Sequence, residues 1–293
     1  MSFTILTDTS CNLPQQLVDD YRLSMIPLRY FLDGEEHTSY TDGKQADFQA
    51  FYTAMRDGKV VTTTLASQAD AAEVAQACAE RGEDLLYLGF SSGISGTYGA
   101  CSAAIAEIAA QHPERKMYSV DTRAASAGQG LLITYVARMR DEGKTIEECR
   151  DWAEEHRLNI CHWFTVDDLM FLKRGGRVSA VSAVFGTALA IKPVMHMDDD
   201  GTLKVVSKAR GRKKAIAALA DHFGNSLATM DPADQTVYIS HGDCLEDAEE
   251  LAEILKERYG IKDPLITYVD PVIGAHSGPG TLALFYYDTA ENR

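Results

Sequence analysis

The chain has 293 residues, long for one domain and comfortable for two, and its 45% hydrophobic and 24% charged content is an ordinary globular mix. With 43 acidic against 28 basic residues the formal charge is -15, which argues against general binding to nucleic acid and against attraction to anionic membrane surfaces. Six scattered cysteines with no C-x-x-C pair exclude zinc spacing, and no run of about 18 apolar residues offers a membrane helix.

The opening Met1-Ser2-Phe3-Thr4-Ile5-Leu6 has no basic start and no long apolar stretch, so it reads as a strand over Phe3–Leu6 rather than a signal peptide. Free thiols fit a reducing compartment, and a cytoplasmic protein, monomeric or weakly dimeric, is expected. Pro14 predicts a helix from Gln15 to Tyr21. Leu85–Leu88 is apolar without alternation, which suits a strand buried on both faces. Cys101, Ile105 and Ile108 mark the next helix, Met117–Val120 a strand, and Leu132, Tyr135, Val136 and Met139 the apolar face of another helix. Thr145 and Glu148 have capping-box spacing. Repeated βα units predict a parallel sheet covered on both faces. The second half reads as a hairpin (Ile191–Met197, turn Asp198–Gly201, Leu203–Val206), a helix from about Lys213, and strands and a helix at Thr236–Ser240, Leu245–Tyr259, Ile266–Val269 and Leu282–Tyr287. The expectation is an α/β chain of two domains: residues 1–158, three-layer α/β/α with a mainly parallel sheet, and residues 159–293, two-layer α/β with a mixed sheet.

Five segments carry polar groups dense enough for chemistry. Ser91-Ser92-Gly93-Ile94-Ser95-Gly96-Thr97 joins a buried strand to a helix. Its hydroxyls, glycines and helix-start N–H groups suit a carboxylate or phosphate, and it has more hydroxyls than a cap needs. The same place matches G-x-S-x-G at Gly89–Gly93, so a serine hydrolase using Ser91 is the alternative, with His241 or His276 as base and Asp243 or Asp270 as orienting acid. Thr62-Thr63-Thr64 precedes a helix capped by Ser67 and could face the same ligand. Leu172–Arg177 places Lys173, Arg174 and Arg177 around two glycines, a pattern that also suits a solvated helix end, and Lys208–Lys214 crowds cations at a helix start. Gly274–Gly280 reads as a Gly/Pro loop whose His276 could donate to an anion. Asp198–Gly201 lacks EF-hand spacing, and Gly128 and Gly130 are only a fragment of a dinucleotide motif, so no metal and no nucleotide cofactor is expected.

Six stretches, in order, resemble the DegV family of bacterial fatty-acid-binding proteins: Thr7–Pro14, Ser91–Tyr98, Asp121-Thr122 with Ser126–Gly130, Leu172–Ser179, Ile191-Lys192-Pro193 and Gly274–Gly280. The resemblance covers about residues 3–288. It implies a two-domain α/β fold with a long-chain fatty acid between the domains and no catalytic residues in this chain. In the family a threonine of a Thr-Thr-Ser-Gln-Pro-Ser stretch and the serine of Ser-Gly-Thr hold the carboxylate; these positions match Thr63 and Ser95, with the Gly96 N–H beside them. The first motif departs here, with Thr64 in place of its serine and Leu65-Ala66 in place of Gln-Pro. Some members carry the acyl group for a separate fatty acid kinase, which forms an acyl phosphate. By that resemblance Arg174 and His276 lie near the carboxylate, and a kinase subunit is the expected partner. A lipid-binding regulatory protein without a kinase is the further alternative.

Overall fold

The computed structural model describes residues 3–40, 47–178, 191–227, 231–232 and 235–289. Strands β1 (Thr4–Asp8), β2 (Ser24–Ile26), β6 (Leu85–Gly89) and β7 (Met117–Asp121) form a parallel sheet in the order β2-β1-β6-β7. All five residues of β6 are buried. The reason is that successive side chains point to opposite faces and both faces are covered. Leu85 and Tyr87 join Leu6 under α3 (Gln68–Arg81) and α4 (Thr97–Gln111), while Leu86 and Leu88 join Ile5 under α5 (Ala127–Asp141) and α6 (Ile146–His156). Thr145 and Glu148 form the expected capping box at the start of α6.

A six-stranded mixed sheet carries the second half. Its strands are β8 (Ile160–Thr165), β9 (Ile191–Met197), β10 (Leu203–Arg210), β11 (Tyr238–His241), β12 (Leu265–Tyr268) and β13 (Leu282–Tyr287), in the order β10-β9-β8-β13-β11-β12. The β9–β10 hairpin has the expected antiparallel register, and β11–β12 is parallel. Helices α8 (Arg212–Ser226) and α9 (Leu245–Tyr259) pack on one face. The other face meets α5, which lies between the two sheets and is buried on nearly every side, Gln129, Thr134 and Arg140 included. That position explains two glycines that the sequence offered only as a broken nucleotide motif. A Cβ on Gly130 would come within 2.6 Å of the Cys11 carbonyl oxygen, and one on Gly128 within 2.7 Å of Phe285. Here the glycines let a helix be squeezed between two sheets.

Sequence patterning assigned nothing between residues 22 and 61, yet a third sheet lies there. Strands β3 (Leu28–Leu32), β4 (Glu35–Ser39) and β5 (Val61–Thr63) pair antiparallel in the order β4-β3-β5. With α2 (Phe48–Arg56) it builds a small aromatic cluster of Tyr30, Phe51, Tyr52 and Met55. Two short helices, α1 (Gln15–Asp20) and α7 (Met170–Arg174), and a seven-residue one, α10 (Pro271–Ser277), complete the described elements needed below.

Polar groups tie the two halves. Asn12, in a left-handed conformation that asparagine tolerates (φ 50°), donates to Asp270 Oδ1 at 3.2 Å and accepts at Oδ1 from Ser126 Oγ at 2.7 Å. Ser126 Oγ in turn pairs with Ser240 Oγ at 2.9 Å.

Candidate functional site

A cavity of about 1060 Å³ opens between the two halves, at the top of the roughly 300–1,000 Å³ range of small-molecule sites. Ser10 and Phe90 line it just beyond the carboxyl ends of β1 and β6, the position where open α/β sheets place ligands. The second half contributes His162, Phe164, Phe171, Met197, Leu203 and Phe285. Although the chain has 43 acidic residues, the described wall holds none; its charged members are Lys59, Arg174 and Arg177. A long apolar space with cations and hydroxyls suits an amphipathic anion.

The wall includes most of the residues expected from sequence. Thr63 ends β5 and lines the cavity, and Thr63 Oγ1 lies 2.9 Å from His276 Nε2. Ser95 lines it from the turn before α4; its Oγ accepts from the Thr97 N–H at 3.2 Å and donates to Thr97 Oγ1 at 3.1 Å. Thr97 Oγ1 also accepts from the Ala66 N–H at 3.2 Å, so the loop after β5 and the loop after β6 are held together by one hydroxyl. Gly96 is the cap residue of α4 and is exposed, with the Leu65 side chain over it; it is not part of the cavity wall. Arg174 lines the cavity but is exposed, its guanidinium 4.6 Å from the centre of the Phe171 ring.

His276 corrects one expectation. Gly274–Ser277 is not loop but the last turn of α10, a helix started by Pro271 and capped by Asp270, which accepts from the Val272 and Ile273 N–H groups. The helix fixes His276 against Gly175, where a Cβ would come within 2.5 Å of His276 Nδ1. Burial pushes the His276 pKa down to about 4, and the Arg177 guanidinium adds to the push. The ring is therefore neutral near pH 7. If Nε2 carries its proton, it donates to Thr63 and leaves the threonine proton for a ligand.

Arg177 is the residue that sequence reasoning passed over in favour of Arg174. It is half-buried, lines the cavity, and donates through Nε to the Ile94 carbonyl at 3.1 Å and through Nη1 to the Gly175 carbonyl. Carbonyl partners leave its charge unneutralised, and burial lowers its pKa. In the fold the cations differ in depth: Arg174 ends α7 and is exposed, while Arg177 follows two glycines and is half-buried. Ser179, the last residue of that motif, lies outside the described residues.

The apparent nucleophile elbow has another role. Ser91 is fully buried and outside the cavity wall; its Oγ donates to the Gly201 carbonyl at 2.8 Å and accepts from the Gly93 N–H at 3.2 Å. Arg123 donates to the Asp200 carbonyl at 2.7 Å, and a Cβ on Gly93 would press within 2.5 Å of the Gly201 oxygen. The turn of the β9–β10 hairpin is thus latched onto the loop that carries Ser95. Of the proposed bases, His276 faces Thr63, and His241 Nδ1 accepts from the Cys244 N–H at 3.3 Å. Ser91→Ala is expected to cost about 1–3 kcal/mol in denaturant unfolding, from the two hydrogen bonds that its Oγ makes with Gly201 and Gly93. It should leave ligand affinity within threefold by calorimetry, and wild type should resist fluorophosphonate labelling.

Two groups on α10 give opposing pH dependence. His276 has its pKa near 4 in the folded chain against an ordinary 6.5, so its contribution is present above pH 6.5 and is lost as pH falls towards 4. Burial raises Asp270 to about 6 from 3.8, so the folded chain holds that proton longer, and stability is lost as pH rises from 4 to 6. His276→Gln removes the first effect alone. The variant's stability relative to wild type should therefore rise by about 3 kcal/mol between pH 7 and pH 4, read from urea midpoints at each pH. An unchanged difference would show that His276 is solvated in the folded chain.

The two basic stretches separate. Arg212, the first residue of α8, pairs with Asp247 at 2.9 Å and so meets the acidic start of α9. Lys213 and Lys214 are exposed. Among the described residues there is no cluster suited to a metal ion and no helix long and apolar enough to cross a membrane.

Comparison with known proteins agrees with this architecture over the whole chain. Residues 2–289 match the family model described as "Uncharacterised protein, DegV family". A DegV domain-containing protein of Clostridium perfringens is 41% identical over 99% of each chain, and one of Streptococcus pyogenes serotype M3 is 35% identical over 97% of this chain and 98% of its own. Two solved structures share 28% identity. A DegV lipid-binding protein of Thermotoga maritima has TM-score 0.85 with 99% of each chain covered. A fatty-acid-binding DegV protein of Thermus thermophilus has TM-score 0.86, covering 98% of this chain and 100% of that one. On family model, sequence relatives and two-domain fold together, the chain belongs to the DegV family.

Proposed function

We propose that this chain binds a long-chain fatty acid in the cavity between its halves, taken as domains 1–158 and 159–293. It would hold the acid without chemically changing it. The observation that carries the reading is a cavity of about 1060 Å³ whose described wall is largely apolar, holds no acidic residue and includes the hydroxyls of Thr63 and Ser95. The similar DegV structures described as a lipid-binding protein and as fatty-acid binding support it. Thr63 donates to the carboxylate, and Ser95 does so by turning its proton from Thr97 Oγ1 to the acid while still accepting from the Thr97 N–H. His276 sets the Thr63 hydroxyl, and Arg174 and Arg177 supply positive charge. An acyl chain burying about fourteen methylenes gains roughly 11 kcal/mol before ordering costs are subtracted, so the chain sets affinity and the hydroxyls set orientation.

The same reading extends to a partner. A carboxylate held at the end nearest the exposed Arg174 would be offered to a separate fatty acid kinase, with Arg174 and His276 steadying the acyl phosphate. Native mass spectrometry of the purified protein tests the binding step. A bound or added long-chain acid should appear at one per chain; no acid bound under either condition overturns the reading. Adding a kinase subunit and ATP tests presentation separately: acyl phosphate is the expected product, and bound acid left unphosphorylated favours a regulatory lipid-binding role.

A further inference from the structure

Ser277 closes α10, and its hydroxyl is the exception in the cavity wall. The residue is 5% exposed and lines the cavity, and its Oγ has no hydrogen-bond partner among the described residues. A serine hydroxyl inside a helix ordinarily folds back on the carbonyl four residues earlier; this one does not. Other buried hydroxyls of the wall are taken. Ser10 is bonded to Asp8, Ser126 donates to Asn12, Thr97 accepts from Ala66, and Thr281 donates to the Gly278 carbonyl at 2.8 Å. Buried polar groups in native proteins almost always have partners, so a buried, unpartnered hydroxyl on a residue of the cavity wall is free to turn about its Cα–Cβ bond toward a ligand atom.

Position narrows what that atom is. Ser277 follows His276 directly, with Cα atoms about 3.8 Å apart, and His276 Nε2 is 2.9 Å from Thr63 Oγ1. Ser277 thus belongs to the same stretch of cavity wall as the His276–Thr63 pair. We propose that Ser277 Oγ hydrogen-bonds an oxygen of the bound acid, as a third hydroxyl of the site beside Thr63 and Ser95. This rests on the fatty-acid reading above. The oxygen belongs either to the carboxylate or to a hydroxyl on carbon 2 or 3 of the acyl chain, and the test separates these sources.

Wild type and Ser277→Ala are titrated with hexadecanoic acid and with 2- and 3-hydroxyhexadecanoic acid, and both proteins are melted without ligand. The expected result is a loss of about tenfold in affinity with no fall in the ligand-free melting temperature, because the hydroxyl has no internal partner to lose. Equal loss for the plain and hydroxylated acids assigns the oxygen to the carboxylate. Loss confined to a hydroxylated acid assigns it to the chain, and wild type then prefers that acid. The proposal is overturned if Ser277→Ala binds all three as wild type does, or if its ligand-free form melts lower. Wild type that binds none of the acids overturns the fatty-acid reading itself, a result distinct from a variant that binds normally.

Discussion

The double variant Thr63→Ala with Ser95→Ala should bind a long-chain fatty acid about 100-fold more weakly than wild type. A hydrogen bond to a charged acceptor contributes roughly 1.5–3 kcal/mol, and 1.4 kcal/mol is a tenfold change, so each hydroxyl accounts for at least one decade. The single variants should differ in their side effects. Thr63 Oγ1 is bonded within the chain to His276, a partner that a cavity can rehydrate. Ser95 Oγ holds the Thr97 N–H at the first turn of α4, so Ser95→Ala also removes a local hydrogen bond worth about 1 kcal/mol of stability. Affinities are therefore compared by calorimetry at a temperature where melting curves show every variant folded. The methyl ester of the same acid supplies the decisive contrast. It keeps the chain and loses the charge, so the double variant should weaken ester binding far less than acid binding. Equal losses would mean that the two residues shape the tunnel and do not hold the carboxylate.

How much of this was legible in the sequence depends on what kind of signal each part leaves. The parallel sheet was, because β6 is five buried residues in a row and α4 and α6 carry clear periodicity or caps. The hairpin, α9 and β13 were, for the same local reasons. The small sheet was not. β4 is Glu-Glu-His-Thr-Ser, with only its last residue buried, and it holds its place by pairing with β3, a relation that no window along the chain contains. The site divided in the same way. Thr63 and Ser95 could be proposed from hydroxyl density and motif order, but their neighbourhood depends on Thr97 bridging to Ala66, 31 residues away. Ser91 misled because G-x-S-x-G describes a strand-to-helix turn, and here that turn receives the 198–201 hairpin turn. Arg177 and Ser277 escaped because what distinguishes them is depth, and three cations in a row of six residues look alike until the chain is folded. His276 read as loop since Gly274, Gly278, Pro279 and Gly280 surround it; Asp270 and Pro271, six and five residues earlier, were the helix-start signal that outweighed them.

Gly128 on α5 gives a large expected effect on stability. Gly128→Ala should destabilise the fold by about 2–3 kcal/mol, although alanine is the better helix former by up to about 1 kcal/mol. The deciding point is whether the neighbours can retreat. A Cβ at residue 128 would lie 2.7 Å from Phe285 Cδ1 and from His162 Cδ2, and nearer still to His162 Nε2. His162 is held at both nitrogens, by the Ile160 carbonyl at 2.8 Å and the Ala125 N–H at 3.2 Å, and its ring stands edge-on to Phe285 at 5.3 Å. Neither ring can turn without breaking a buried contact, so the helix itself must move away from the mixed sheet. Gly99 in α4 is the matching control: no atom lies within 4 Å of its would-be Cβ, so Gly99→Ala should gain about 0.5–1 kcal/mol by propensity alone. Opposite signs in urea unfolding would establish that Gly128 is required for packing. Two stabilised variants would show that α5 has slack against the sheet. Because His162 and Phe285 also line the cavity, the displaced helix should weaken acid binding in Gly128→Ala while Gly99→Ala binds normally. That coupling is what a cavity built between two sheets across one shared helix requires: the helix that joins the halves also sets the width of the space between them.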